Sequence, residues 1–384
     1  MTTVLYFQSA GKVSARQKLE GVYAYGREHE WNVQVIEPGV TERKAAELVK
    51  FWEPHGVIVE CGSEQNHFNP RIFGKVPVVF LDRNPKTICT AAPCVTHDSV
   101  ATAKVAAREL LSLKLTDYAY VPWPEPRFWS EERETGFAAA LRLNGHGYAH
   151  FSSKARSSNI HTLQNELGEW LKGLPKPVGI FAANDFMSAQ VAAAANRIGL
   201  KIPEDIALVG VDNDELLCEN TSPTLSSVMP DFKTAGEKAA ALLVRIMVNP
   251  KFRPASETFG PLRLVRRSSS NRSKRTDQEV LAALDLIRRE ACNGLKARDV
   301  FDSFTCTRRM AEIRFRAATG KSPLEAIQEV RRARAEELLK DPSRDRTAIA
   351  NLCGYSSANA LANFLRRSAP TITRPKSTTR SART

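Results

Sequence analysis

The 384-residue sequence lacks the cysteine pairs that disulfide frameworks and zinc sites require. Its seven cysteines are an odd number, and no two of them have the CxxC spacing. This arrangement fits neither a disulfide-linked scaffold nor a structural zinc site, and it predicts reduced thiols. The cysteines are Cys61, Cys89, Cys94, Cys218, Cys292, Cys306 and Cys353.

Catalytic signatures are also missing from the sequence. The seven histidines are scattered without ligand spacing, and we find no nucleophile triad, no Walker loop and no GxGxxG motif. We therefore expect a protein that is not an enzyme and that uses neither a metal nor a cofactor. Turnover of a sugar by the purified protein would restore the alternative of an enzyme.

Nothing in the sequence predicts a membrane partner or export. There is no apolar run of 18 residues and no amphipathic membrane-binding stretch. The first residues, MTTVLYFQSAGK, lack the basic segment and the small-residue cleavage site of a secretory signal. We therefore expect the chain to be cytoplasmic.

What the sequence does contain is a basic end. Residues 261–384 carry 27 Lys and Arg against 13 Asp and Glu, whereas residues 1–260 carry 28 against 29. The positive excess therefore belongs to the last third of the chain. A neutral body with a basic end predicts a polyanion-binding module attached to a part with another role.

The first 230 residues alternate between short apolar runs and helix-period stretches. TVLYF, VQVIE, GVIVEC and VPVVFL are such runs, and the alternation is typical of parallel strands joined by crossover helices. Because the pattern occurs twice, it predicts two doubly wound α/β lobes with a cleft between them. Ligands of open α/β sheets bind beyond the carboxyl ends of the strands.

Polar side chains directly follow three of these apolar runs. Asp82 and Arg83 follow one, Asn184 a second and Asp212 a third. These groups match the vicinal hydroxyls of a sugar, and aromatic faces such as Trp129 can cover a pyranose ring. For any one residue, a helix cap or a core position is an equally good interpretation. Three strand ends with the same chemistry favour a sugar site.

Four segments resemble the effector domains of LacI/GalR regulators and the related periplasmic sugar-binding proteins. The segments are LDRNP, EERETGF, AANDFMS and IPEDIALVGVDNDE, and the likeness covers about residues 3–267. After the next predicted strand, Met229 and Pro230 stand where many relatives have a polar residue, so one edge of the expected pocket departs from the family pattern. A LacI regulator would also begin with a DNA-binding headpiece, whereas the first predicted strand starts at Thr3. The resemblance implies sugar contacts by Asp82, Arg83, Arg133, Asn184 and Asp212.

The basic end resembles the DNA-binding module of the AraC/XylS family. Residues 266–277, RRSSSNRSKRTD, are polar and basic, which predicts a linker. Beyond them the patterns are helical, and TRRMAEIRFRAATGKSP and IANLCGYSSANALANFLRR resemble the two helix-turn-helix units of that family. The predicted fold is an α/β two-lobed periplasmic-binding-protein-like sensor with doubly wound parallel sheets, followed by an all-α double helix-turn-helix domain.

The two units predict polar side chains on exposed helix faces. We expect Ile313, Phe315, Ile349 and Leu352 to pack inside, and Gly354 to permit the second turn. A solvated face is the usual interpretation of one basic helix, but two turn-bearing units behind a basic linker favour DNA binding. Arg can bond guanine bidentately, and Asn can bond adenine. The predicted DNA contacts are Arg308, Arg309, Glu312, Ser357, Asn359 and Asn363.

The end of the module departs from the family pattern. Pro370 and Pro375 prevent a regular last helix, and the Ser/Thr/Arg run that follows is typical of disorder. Leu361 and Leu365 stand where aromatic residues are usual. We predict a sensor at 1–265, a basic linker at 266–277, a DNA-binding domain at 278–370 and a disordered basic tail at 371–384.

A LacI-like sensor followed by an AraC-like module is the architecture of the xylose-operon regulators. The resemblance implies a xylose-sensing activator of sugar-utilisation genes; another pentose or hexose stays open, because these sugars need the same polar groups. A solute-binding protein for sugar transport would explain the lobes but not the basic end. The implied partners are double-stranded operator DNA, a small sugar such as xylose, a second copy in a homodimer, and RNA polymerase.

Overall fold

The structure is a computed structural model that describes residues 1–9, 12–61, 66–84, 92–249, 251, 256–271, 278–341 and 344–367. The chain divides into two units, Met1–Arg272 and Ser273–Thr384. Within the described residues, no helix is both long and apolar enough to cross a membrane.

The first unit contains two lobes, and the first lobe is built on a wholly parallel six-stranded sheet. Val57, Ile58 and Val59 in a central strand are fully buried, as expected where helices cover both faces of a parallel sheet. In spatial order the strands are β11 (Glu257–Phe259), β5 (Cys94–His97), β4 (Val78–Leu81), β3 (Gly56–Glu60), β1 (Thr2–Phe7) and β2 (Trp31–Ile36). Its helices are α1 (Val13–Glu28), α2 (Glu42–Trp52) and α8 (Phe232–Val248).

The second lobe repeats the plan with one antiparallel edge strand, β12, which pairs with β10. In spatial order the strands are β12 (Pro261–Val265), β10 (Ser226–Pro230), β9 (Ile206–Val211), β8 (Val178–Ala182), β6 (Asp117–Val121) and β7 (Ala149–His150). Its helices are α3 (Ser99–Ser112), α4 (Phe128–Leu143), α5 (Ile160–Gly173), α6 (Asp185–Arg197) and α7 (Glu215–Asn220). The prediction of two doubly wound lobes is confirmed.

The chain passes between the two lobes at three neighbouring places. The passages follow β5, β10 and β11. They are tied together by backbone hydrogen bonds from Asp98 N to Phe259 O (2.8 Å) and from Asp231 N to Gly260 O (3.0 Å). A few residues at element ends that join two bodies are the usual form of a hinge.

Helices α1 and α8 of the first lobe pack with their backbones in contact. A Cβ atom added to Gly21 would lie 2.0 Å from Lys233 O, and one added to Gly236 would lie 1.9 Å from Lys18 O. Both positions therefore require glycine. This close approach fixes the start of α8 and the middle of α1, which carry Phe232 and Lys18 toward the cleft.

The second unit is helical and has two small cores joined by one long helix. Its helices are α9 (Gln278–Glu290), α10 (Ala297–Asp302), α11 (Arg308–Thr319), α12 (Pro323–Leu338), α13 (Arg346–Leu352) and α14 (Ala358–Arg367). Helix α12 buries Ile327 in the first core with Phe315, and Leu338 in the second core with Ile349. The predicted arrangement of two units with a linking helix is confirmed.

The prediction of core positions is wrong for two residues. Ile313 is 53% exposed and Leu352 is 51% exposed. Leu361 and Cys353 fill the second core instead, each less than one-tenth exposed. Gly354 has the predicted turn role, because its φ of 76° lies in the left-handed region that favours glycine.

The prediction that the linker begins at residue 266 is wrong. Arg267, Ser268, Ser269 and Ser270 are buried in the second lobe. Ser269 Oγ donates to Leu208 O (2.7 Å), so the serine hydroxyls bond interior groups instead of water. Residues 272–277, 368–370 and the predicted tail at 371–384 lie outside the described residues.

Candidate functional site

A cavity lined by charged, polar and aromatic side chains lies between the two lobes of the first unit, beyond the carboxyl ends of their strands. Five of the six residues predicted to contact a sugar line it: Asp82, Trp129, Arg133, Asn184 and Asp212. The remaining lining residues are Ser9, Lys12, Ser14, Ala15, Lys18, Glu60, Cys61, His97, Phe128 and Phe232.

Arg133 is a buried cation that the second lobe contributes to the cavity, and it lies in the second turn of α4. Its Nη1 donates to Ala183 O, and its Nη2 lies 3.3 Å from His97 Nδ1 and 3.7 Å from Asp212 Oδ1. The guanidinium lies 4.9 Å from the Trp129 ring centroid. These contacts fix the guanidinium plane, so that its donors are oriented before a ligand arrives.

Asp212 follows β9 in a strained turn. Its φ of 108° and the φ of 48° at Asn213 lie where non-glycine residues are rare. The Asp212 side chain is 29% exposed, which leaves it accessible from the cavity. Burial raises the pKa of Asp212, while the nearby cations Arg133, Lys12 and Lys18 oppose that shift.

The first lobe contributes a buried charge cluster of Lys18, Glu60 and Asp82. Lys18 Nζ lies 3.2 Å from Glu60 Oε1 and 2.5 Å from Asp82 Oδ2. Burial alone would lower the pKa of Lys18, but the two carboxylates raise it overall. Asp82 also accepts from His97 N (2.9 Å), so its carboxylate is held from two sides.

His97 connects the polar groups of the two lobes at one of the hinge passages. Its ring lies between Arg133 and Thr102, with Nε2 2.8 Å from Thr102 Oγ1, and it stacks on Phe259 at 5.0 Å. Burial, followed by repulsion from Arg133 and Lys18, holds the pKa of His97 well below its usual value. His97 is therefore neutral at physiological pH, with Nδ1 able to accept from Arg133.

For two of the residues predicted to contact a sugar, the structure shows surroundings other than the expected sugar contact alone. Arg83 is not among the cavity-lining residues that the structure describes; its guanidinium lies 4.9 Å from the Phe80 ring centroid. Asn184 lines the cavity, but its Oδ1 also caps α6 by accepting from Met187 N (3.0 Å). The cap interpretation therefore applies to Asn184, and its contact with a ligand stays a prediction.

Sequence reasoning missed Lys18, Glu60 and His97. Lys18 lies on the face of α1 that also buries Ala15 and Val22. A lysine on the apolar face of a helix is rarely buried unless it is paired with an acid. The position of Lys18 in the apolar pattern of α1 could therefore have predicted a buried ion pair. Glu60 ends a fully buried strand, and an acid in such a strand likewise indicates a buried cation as its partner.

Asp185, the first residue of α6, is a fully buried acid next to the cavity. Its Oδ2 accepts from Asp214 N (2.8 Å). Burial, followed by repulsion from Asp212, raises the pKa of Asp185 to about 7. Between the ordinary value of 3.8 and this value, the folded chain holds a proton that the unfolded chain has lost. The contribution of Asp185 to stability is therefore greatest in acid and is lost as pH rises toward 7.

We expect Asp185→Asn to become more stable relative to the unsubstituted protein as pH rises. The difference in unfolding free energy should grow by about 1 kcal/mol per pH unit between about pH 5 and 7. Comparing the two proteins cancels the opposing effect of His97, which is present in both. Urea unfolding followed by tryptophan fluorescence measures the difference, because all five tryptophans precede residue 272. A difference independent of pH would contradict the assignment.

The predicted DNA contacts are exposed on the second unit, on α11 and on or just before α14. Arg308 stacks over Phe301 at 5.1 Å, and Ser357 Oγ accepts from Ala360 N (3.2 Å) to cap α14. Both therefore also have local structural roles. The exposed residues are Arg308, Arg309, Glu312, Ser357, Asn359 and Asn363.

Together these features define a class of protein. A two-lobed sensor with a polar cavity, followed by a double helix-turn-helix domain, is the organisation of a ligand-responsive transcription regulator. Residues 107–270 match the model of the periplasmic binding protein-like domain, and residues 302–370 match the model of a helix-turn-helix domain. The predicted organisation, a periplasmic-binding-protein-like sensor followed by a helix-turn-helix domain, is confirmed.

Within that class, the chain is similar to the xylose operon regulatory proteins. It is 26% identical over 356 residues to the Xylose operon regulatory protein of Escherichia coli K12, covering 91% of this chain and 90% of that protein. It is 28% identical over 268 residues to the one of Haemophilus influenzae, covering 69% of each chain. The structure of the xylose-binding transcription activator xylR has a TM-score of 0.61 at 24% identity over 96% of both chains, and it supports the same fold.

Proposed function

We propose that the chain is a sugar-responsive transcription regulator that senses xylose and activates sugar-utilisation genes. The observation that carries the proposal is the pair of Arg133 and Asp212, facing a cavity to which the other lobe contributes Asp82. Homology to a xylose operon regulatory protein along nine-tenths of the chain supports xylose as the effector.

The cavity groups have complementary roles toward a neutral sugar. Asp82 and Asp212 can each accept from two adjacent hydroxyls, and Arg133 can donate to ring or hydroxyl oxygens. The rings of Trp129 and Phe128 line the same space and can cover the apolar side of a pyranose. Of the three cavity cations, Lys18 and Arg133 directly face carboxylates, and Lys12 is near enough to Asp212 to oppose the rise of its pKa. Glu60, Asp82 and Asp212 balance these three charges, so the ligand itself need carry no charge.

Sugar binding would favour a closed arrangement of the two lobes. Asp82 belongs to the first lobe and Asp212 to the second, so a ligand that bonds both draws the strand ends together. The three passages between the lobes are the parts that can bend. A ligand shifts such an equilibrium by its difference in affinity for the two arrangements.

The output of the proposed regulator is DNA binding in the cytoplasm by a homodimer. Two helix-turn-helix units on one domain can place α11 and α14 in successive major grooves, about 10 bp apart. Closure of the sensor lobes would then change how two copies present their basic units, and the bound activator would contact RNA polymerase. The protein performs no catalytic step in this proposal.

Calorimetric titration with xylose tests the effector, with arabinose, ribose and glucose as comparisons. Xylose should bind most tightly; tighter binding of another of these sugars would support the alternative of a different pentose or hexose. A solute-binding role in transport would predict sugar binding without any DNA binding. Release of a modified sugar during the titration would indicate an enzyme.

For DNA recognition, we expect Arg309→Ala to relax sequence preference at one position of the operator. A bidentate contact from Arg to guanine is worth about 1–3 kcal/mol of discrimination. The comparison variant neutralises Arg374, Lys376, Arg380 and Arg383 of the tail, and it should weaken binding to all DNA alike and reduce its salt dependence. Binding to randomised operators measures both effects. Equal losses on every sequence for both variants would contradict base reading by Arg309.

A further inference from the structure

One buried arginine ties the cavity to the last segment of the sensor. We call Asp212–Asp214 the ligand turn, because its first residue lines the cavity. Arg267 Nη1 donates to Asn213 Oδ1 of this turn (3.0 Å) and to Leu225 O (2.9 Å), and its Nε lies 2.5 Å from Glu219 Oε1. The Arg267 side chain is 2% exposed. Its guanidinium is therefore held in one orientation by three partners.

The ligand turn depends on such partners for its shape. Two successive residues, Asp212 and Asn213, have φ values in the left-handed region, which costs conformational energy for residues other than glycine. Asn213 N donates to Ser227 Oγ (3.0 Å), and Asp214 N donates to Asp185 Oδ2 (2.8 Å). The turn is reached from outside the β8 to β10 region by Arg133, which faces Asp212, and by Arg267, which bonds Asn213 from the exit side.

Arg267 also lies at the exit of the sensor. Its backbone N donates to Ser226 Oγ (2.8 Å), and Ser226 Oγ in turn donates to Arg267 O (3.1 Å). The next three residues are buried serines, and the first unit ends at Arg272. The Arg267 side chain therefore links two parts of the sensor. One is the ligand turn, which carries Asp212, and the other is the exit segment, the stretch that precedes the helix-turn-helix domain.

We propose that Arg267 is a positioning residue that couples sugar binding at Asp212 to DNA binding by the C-terminal domain. The proposal rests on the proposed sugar-responsive function. A sugar that bonds Asp212 selects one position of the ligand turn, and Arg267 requires the exit segment to take the matching position. The coupling is reciprocal, so DNA binding that fixes the exit segment also favours the sugar-bound turn.

The test uses two variants of the full chain that break the same contact from opposite sides. Asn213→Gly removes the acceptor, and glycine tolerates the local φ of 48°. Arg267→Lys keeps the charge but loses the planar fork. For each variant, operator affinity is measured with and without saturating xylose, and xylose affinity is measured by calorimetry. We expect the ratio of operator affinities to fall to about one, while xylose affinity changes by less than about 3-fold.

Arg266→Lys is the matched control, because it makes the same substitution as Arg267→Lys at the adjacent residue. Arg266 is 59% exposed and pairs with Glu109 on α3, whose side chain is 3% exposed, so lysine keeps a cation beside this buried carboxylate. This variant should keep the full response to xylose. The inference is overturned if Asn213→Gly keeps the unsubstituted ratio, or if Arg266→Lys loses it equally. If the unsubstituted protein itself shows no response to xylose, the proposed function fails, whatever the variants do.

Discussion

Replacing Lys18 with methionine is expected to lower the free energy of unfolding of the sensor by about 3–5 kcal/mol. The Lys18 side chain is 4% exposed and pairs with Glu60, which is 1% exposed, and with Asp82. Methionine fills a similar volume but leaves the two carboxylates without their cation, and the Glu60 carboxylate is almost fully buried. Unpaired buried charge is among the most destabilising changes that a single substitution can make.

Urea unfolding followed by tryptophan fluorescence measures this loss, because the signal reports the sensor alone. Lys172→Met is the control, since Lys172 pairs with Glu169 at the surface, and it should cost far less than Lys18→Met because water screens an exposed ion pair. Adding Glu60→Gln to Lys18→Met should recover part of the loss by removing one uncompensated charge. Similar small losses for Lys18→Met and Lys172→Met would show that the cluster is not buried in solution.

Replacing Arg133 with alanine is expected to reduce xylose affinity by roughly 10- to 100-fold, because hydrogen bonds to a charged group contribute about 1.5–3 kcal/mol. The substitution also removes the cation that faces Asp212. Asp212→Asn tests the same contact from the other side and retains a side chain of the same size. Arg142→Ala is the matched control, because Arg142 lies in the last turn of the same helix and is exposed.

Calorimetric titration of the three variants with xylose provides the measurement. Arg133→Ala and Asp212→Asn should both lose affinity, and Arg142→Ala should not. If both cavity variants kept the affinity of the unsubstituted protein, neither residue would contact the sugar. Equal weakening by all three would indicate a general disturbance of α4 rather than a lost contact.

The strand ends could be predicted from the sequence because a parallel sheet has a simple rule. Each buried apolar run ends at the same edge of its sheet, so Asp82, Asn184 and Asp212 were expected near one cleft. The rule gives the position of a residue but not the direction of its side chain. Asp82 and Arg83 are adjacent in the chain, yet only Asp82 lines the cavity.

The residues that sequence reasoning misassigned depend on packing between distant segments. Ser268 to Ser270 are polar and follow two arginines, which is the composition of a linker, but their hydroxyls bond buried groups of β9 and β10. Leu352 fits the helical period of α13, yet Leu361 of the next helix fills the second core instead. Local pattern cannot decide between two apolar residues that compete for one small core.

The most direct test of sugar control over DNA binding measures the same coupling in both directions on the full chain. An operator is first selected from random DNA by binding. Its affinity is then measured with and without saturating xylose, and xylose affinity with and without saturating operator. We predict that both affinities change by the same factor, about 5- to 150-fold. Operator binding of equal strength with and without xylose, and with and without the comparison sugars, would contradict a sensor that controls DNA binding.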